Sequence, residues 1–221
     1  VSRLTALSFF AAAIISSGCF AAEPNTWPGW RGPVSSGSAV SGSYASGWAD
    51  GKNILWSAPL PGKGCSTPVV WAESIFVTVP IEGEDGLVAF DWKGKVLWQS
   101  RMGKARGGKH RNGSGANPSP VTDGKYIFAY YRSGNFAGLD IKGKVLWTTN
   151  LQERFGKDTL YWDIGTSPVV TESHAVIAVI QERGSFLAAF DKKSGEIAWK
   201  VARNYECPTE GDHSYTTPIV V

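Results

Sequence analysis

The chain has 221 residues, 43% of them hydrophobic, with ten tryptophans, 26 glycines and a formal charge of +3. That apolar content is enough for a core, and a charge so mild and so dispersed argues against a nucleic-acid partner. No segment carries a sustained 3.6-residue apolar period, which excludes a helical fold and points to an all-β one.

Residues 1–21 read as a signal peptide, with a cation at Arg3, an apolar run from Leu4 to Ile15 and small residues before a polar segment. The run is too short to span a bilayer stably. Two processing modes compete there. Ser17-Gly18-Cys19 resembles a lipobox, which would place a lipid anchor on Cys19, whereas Cys19-Phe20-Ala21 fits ordinary cleavage. Ser16 stands where a lipobox prefers Leu, so ordinary cleavage is favoured. Residues 22–50 form an extended arm rich in Gly, Ser, Pro and Trp, and residues 51–221 form the folded part. The first stretch of that part, GKNILW ending at Trp56, imitates a pattern found later in the chain. It is read either as a strand that closes a ring or as an arm packed outside the first repeat.

Three repeats of four short strands follow. The first has strands at Pro68–Trp71, Ser74–Val79, Gly86–Phe90 and Lys95–Ser100; the second at Pro120–Thr122, Lys125–Tyr131, Phe136–Leu139 and Lys144–Thr148. The third has Pro168–Thr171, His174–Ile180, Phe186–Phe190 and Glu196–Val201, and Thr217–Val221 begins a fourth. A small residue followed by Pro opens each repeat, at Pro68, Pro120, Pro168 and Pro218, with spacings of 52, 48 and 50. Pro donates nothing to a ladder, so it belongs at the start of an edge strand, and the innermost strand of a propeller blade is such an edge.

A second marker runs in phase with the first. The runs AFDWKGKVLW, GLDIKGKVLW and AFDKKSGEIAW place Asp91, Asp140 and Asp191 before a turn and Trp98, Trp147 and Trp199 after it. The carboxylate can accept backbone N–H bonds from the turn, a Gly supplies positive φ, and each Trp then lands at one place on the last strand, where it can cover a neighbouring unit. The Asp spacings of 49 and 51 match a propeller blade.

These runs resemble the tryptophan-docking motif Ala-x-Asp-x-x-Thr-Gly-Lys-x-x-Trp of the pyrroloquinoline-quinone-like (PQQ-like) repeat β-propellers, over the span from Trp27 onward. The openings WPGWRGP and LPGKGCSTPVVW look like a bacterial subgroup of that family with no assigned chemistry. The resemblance implies an all-β propeller of four-stranded blades in a ring of about seven or eight, of which this chain would hold three blades and the first strand of a fourth. It also implies two functions. One is a non-catalytic, exported scaffold that binds a protein or other macromolecule in the periplasm or envelope, like the propeller subunit of the outer-membrane barrel-assembly machinery, and uses no cofactor. The other is a fragment of a quinone-dependent dehydrogenase, with PQQ and Ca²⁺. The vicinal Cys pair, acidic Ca²⁺ ligands and catalytic Asp of those enzymes are not recognisable in this sequence. Cys65 and Cys207 stand in equivalent loops, too far round a ring to pair comfortably.

Function, on this reading, sits on the loops joining each docking Trp to the next Pro, which gather on one end of the ring. The first of them gathers Arg101, Lys104, Arg106, Lys109, His110 and Arg111 without an acidic residue. The candidate partner face is Arg106, Lys109, His110, Arg111, Trp162, Asp212 and His213. His110, beside Asn112 and Gly113, reads as turn chemistry rather than a general base, since no nucleophile motif accompanies it.

Overall fold

The computed structural model describes residues 26–39, 42–49, 51–181, 184–205 and 213–220. Three antiparallel four-stranded meanders follow one another along the chain. Blade 1 is β1 (Val69–Trp71), β2 (Ser74–Ile81), β3 (Glu84–Asp91) and β4 (Val96–Lys104). Blade 2 is β5 (Val121–Thr122), β6 (Tyr126–Tyr130), β7 (Asn135–Asp140) and β8 (Val145–Asn150). Blade 3 is β9 (Val169–Val170), β10 (His174–Val179), β11 (Phe186–Asp191) and β12 (Ile197–Ala202). The order and type of these strands follow the expected pattern. The largest boundary difference is β4, which runs past Ser100 because Arg101 still pairs with Gly86 and, beyond a bulge, Lys104 pairs with Glu84.

The all-β reading holds apart from one short element, and one expected strand is not formed. A short helix, α1 (Leu151–Phe155), follows β8, held by Asn150, whose side-chain oxygen accepts from the Gln152 and Glu153 amides at 3.0 Å each. Five residues are too few to register as a period. Thr217–Val221 was expected to be a strand, but residues 213–220 form none.

The repeated turn has one construction in all three blades. Oδ1 of Asp91 accepts from the Lys93 and Lys95 amides at 2.8 and 2.9 Å, that of Asp140 from Lys142 and Lys144 at 2.9 Å, and that of Asp191 from Lys193 and Ser194 at 2.9 and 2.8 Å. These bonds hold the carboxyls of Asp91 and Asp191 below the usual carboxylate range, the Lys95 amide contributing most at Asp91 and the Ser194 amide at Asp191. Gly94, Gly143 and Gly195 take φ of 78°, 88° and 70°, a region costly for any residue with a Cβ.

Each of these glycines also lies beneath a tryptophan from the preceding unit: Trp56 over Gly94, Trp98 over Gly143 and Trp147 over Gly195. The Nε1–H of Trp56 donates to the Trp92 carbonyl at 2.7 Å and that of Trp147 to the Lys192 carbonyl at 3.0 Å, and both acceptors directly follow the turn Asp. Residues 51–56 are no strand, yet Trp56 thus bears the same relation to blade 1 that Trp147 bears to blade 3. Within its own blade each docking Trp faces a small residue, Ala89, Gly138 or Ala189, and the ladder shifts register immediately after that pair. The small residue leaves room for the ring to turn toward its neighbour. Trp147 is 8% exposed, whereas Trp199, next to no described blade, is 39% exposed.

The first strands are joined by a chain of identical bonds. The Thr67 amide donates to Ser119 Oγ at 2.9 Å, the Ser119 amide to Ser167 Oγ at 2.9 Å, and the Ser167 amide to Thr217 Oγ1 at 3.0 Å. Every participant is the residue just before an inner-strand Pro. Thr217 therefore continues the series although no strand surrounds it. Between blades the core is aromatic and aliphatic: Phe76, Leu87, Ile127 and Leu139 between blades 1 and 2, and Phe128, Phe136, Trp147, Ile177 and Phe190 between blades 2 and 3.

The arm enters by an unexpected route. Trp27 and Val70 exchange both backbone bonds, at 2.8 and 2.9 Å, and the Thr122 amide donates to the Pro28 carbonyl at 2.8 Å. Residues 27–29 therefore lie along the innermost edge of blades 1 and 2, not outside blade 1. Residues such as Trp, Pro and Gly carry no period that could announce this placement.

Candidate functional site

The blade-to-blade loops and the turns between second and third strands share one end of the blades, as expected. Loops 105–120 and 156–168 do not stand apart there: two buried carboxylates hold them together. Asp163 accepts from the Lys109 amide at 2.7 Å (Oδ1) and 2.9 Å (Oδ2) and from the His110 amide at 3.3 Å. Arg132, in the blade 2 turn, brings Nε within 2.9 Å of Asp163 Oδ1, off the axis of a hydrogen bond, while its Nη1 donates to the Gly107 carbonyl. Both side chains are buried. Burial first, and the nearby charge of Arg106 next, pull the Arg132 guanidinium below its ordinary pKa.

The second carboxylate is Asp158, whose side chain is 4% exposed. It pairs with Arg106 at 2.9 Å and with Lys109 at 3.4 Å. Lys109 Nζ also donates to the Leu160 carbonyl. Arg106 and Lys109, two of the expected partner-face cations, are thus occupied within the molecule. Their acidic partner was hidden in the sequence because it belongs to the next loop.

What the bracing leaves outward is aromatic. Tyr161 and Trp162 meet edge to face at 4.7 Å and 89°, and are 63% and 48% exposed. His110 lies edge-on to Trp162 at 5.7 Å, and its Nδ1 accepts from the Asn112 amide at 3.2 Å, the turn role expected of it. The Trp162 amide donates to the Tyr215 hydroxyl at 3.2 Å, so the pair is fixed from behind. Arg111 is exposed beside His110, its carbonyl accepting from Lys63 Nζ. His213 is half-buried, next to Ser214, whose amide donates to the Ile180 carbonyl at 3.4 Å. Asp212, Cys207 and Cys19 lie outside the described residues; Cys65 is exposed, with Sγ 3.4 Å from the Asn112 carbonyl. Sequence reasoning missed Arg132 and Asp158. The only signal at Arg132 was a charge directly after the apolar run of β6.

The sequence from residue 31 to residue 206 matches the family described as outer membrane protein assembly factor BamB, of PQQ-like repeat type. This chain belongs to that family. No curated protein matches it. Among solved structures it is similar to BamB from Moraxella catarrhalis, at 16% identity over 72% of this chain and 43% of that one, with a TM-score of 0.46. It is also similar to the quinohemoprotein alcohol dehydrogenase from Comamonas testosteroni (18% identity, 68% of this chain, 23% of that one, TM-score 0.48). A europium-containing methanol dehydrogenase is a third (18%, 68% and 25%, TM-score 0.44). The chain spans less than half the length of each of these structures.

The cavity between blades 2 and 3, lined by Tyr130, Gln152, Asp158, Thr166, Gln181 and Phe186, holds about 20 Å³, room for one water. The cavity's carboxylate is already paired with two cations, and its charge, after burial, raises the pKa of the Tyr130 hydroxyl. Among the described residues no three His, Cys, Asp or Glu side chains converge as metal ligands would. No helix among them is long and apolar enough to cross a membrane.

Proposed function

We propose that this chain is an exported, non-catalytic propeller scaffold that binds a protein partner in the cell envelope through the loop rim centred on Tyr161 and Trp162. The observation that carries this reading is the pair itself: two large exposed rings on a loop fixed by the Tyr215 hydroxyl, which accepts from the Trp162 amide, and by the adjacent Asp163 carboxylate, which accepts from the Lys109 amide. Rigid, exposed Trp and Tyr are the side chains that dominate protein–protein affinity, because they bury much area while losing few rotamers. Neighbouring Arg111 adds the third residue type enriched at such centres. The family description, an assembly factor of the outer membrane, fits a protein whose work is binding. The signal-like residues 1–21 fit export.

The test is site-specific photo-crosslinking in the native host, with the probe at Tyr161 and a control probe at Lys142 on the opposite end of blade 2. A discrete crosslinked partner from Tyr161 alone is expected, and Trp162→Ala should weaken its binding at least about tenfold, the loss of a central aromatic anchor. Equal crosslinking from both positions, or a partner whose affinity ignores Trp162→Ala, would overturn the assignment.

A further inference from the structure

The innermost strand of a blade leaves a row of backbone groups facing the channel, and edges of this kind bind extended peptides. In blade 1 that row is filled. Val70 turns both its N–H and its C=O to Trp27, on the side opposite β2, and in blade 2 the Thr122 amide donates to Pro28. One short segment therefore bridges two blades by backbone bonds alone.

The side chains of the segment explain its composition. Pro28 uses only its carbonyl, so its missing N–H costs nothing there. Gly29 passes so close to β5 that a Cβ would stand 3.2 Å from Val121 Cγ2. Gly32 turns back at φ 73° against the ring of Trp27, where a Cβ would come within 2.9 Å. The pattern Trp-Pro-Gly-x-x-Gly thus combines requirements made by the channel edge at Pro28 and Gly29 with one made by the segment's own fold-back at Gly32.

We infer that the inner edge of blades 1 and 2 is a binding groove for an extended Trp-Pro-Gly peptide strand, and that this chain fills it with its own residues 27–32. The groove reads an extended backbone, a carbonyl acceptor at the second position and the absence of a side chain at the third, while the glycine at the sixth lets the segment fold back on its own Trp27. It is separate from the loop rim and independent of what that rim binds.

Amide hydrogen exchange on the full chain tests this. The Val70 and Thr122 amides should be protected, and in the Gly29→Val, Gly32→Val variant they should exchange at least about tenfold faster while the Ile177 and Ala188 amides of blade 3 keep their rates, a local opening. Adding the peptide EPNTWPGWRGP to that variant should restore protection, and a scrambled peptide should not. Unchanged rates at Val70 and Thr122 in the variant, or no recovery with the peptide, would overturn the inference. If blade 3 also loses protection, Gly29→Ala, whose single methyl meets Val121, takes the variant's place under the same criteria.

Discussion

Trp147 donates its indole N–H to the carbonyl of Lys192, 45 residues away, at 3.0 Å, and its ring stacks on Phe190 at 6.2 Å and 15°. One side chain from blade 2 thereby closes the turn and covers the core of blade 3. Trp147→Ala removes the ring and leaves a cavity, and should cost about 3–5 kcal/mol in denaturant melts. Trp199→Ala removes the same motif residue from a half-open setting and should cost about 1 kcal/mol or less. Equal losses at the two positions would show that burial against the next blade is not what the motif provides.

Gly143 carries two requirements at once, φ of 88° and the ring of Trp98 where a Cβ would stand at 2.5 Å. Gly143→Ala should therefore cost more than the about 1 kcal/mol of an unfavourable φ alone. Pairing it with Trp98→Ala should recover part of the loss, and a thermal-melt cycle on the four proteins reads that coupling.

Asp85 is buried at the start of β3, accepting from Ser133 Oγ and, at 2.8 Å, from Asn135 Nδ2. Burial outweighs those two bonds and raises its pKa from 3.8 to about 6. The folded state then holds the proton more tightly than the unfolded state. Asp85 favours folding fully below about pH 4, and that contribution, on the order of 3 kcal/mol, is lost as pH rises through about 6. The lowered carboxyls of Asp91 and Asp191 act in the opposite sense in acid, so the measurement is a difference. The stability of Asp85→Asn relative to wild type should rise between pH 4 and 6.5 and be flat above. A pH-independent difference would contradict the raised pKa.

The Arg132–Asp163 pair should be costly to break from one side and cheap to remove entirely. Asp163→Ala leaves a buried guanidinium without its counter-ion and frees the Lys109 and His110 amides, at about 3–5 kcal/mol. Arg132→Met together with Asp163→Leu should lose less than the sum of the single changes in urea melts. Full additivity would mean the two groups do not sense one another.

The blades were legible because two short-range devices recur at fixed positions: Asp and Gly set the turn within five residues, and Pro marks each inner strand. Both act through neighbouring backbone, which a sequence displays directly. The rim was legible only as composition. Lys109 and Asp163 are 54 residues apart and Arg106 and Asp158 are 52 apart, so nothing local tells a loop cation held by a buried acid from one in water. The exposure of Trp199 is equally invisible, since it depends on what lies beside the blade and not on the motif. The path of Trp27 along the inner edges was not legible because its backbone partners Val70 and Thr122 lie far along the chain and Trp, Pro and Gly in so short a run carry no period.

The hydroxyls before each inner Pro carry a further implication. They link residues 52, 48 and 50 apart by bonds of nearly one length. The inner strands are therefore tied to one another by one hydroxyl oxygen per blade, across similar lengths of intervening chain. Selection is left freer to recompose the outward positions of the rim, such as Tyr161 and Trp162, while the hydroxyls keep the inner strands in step.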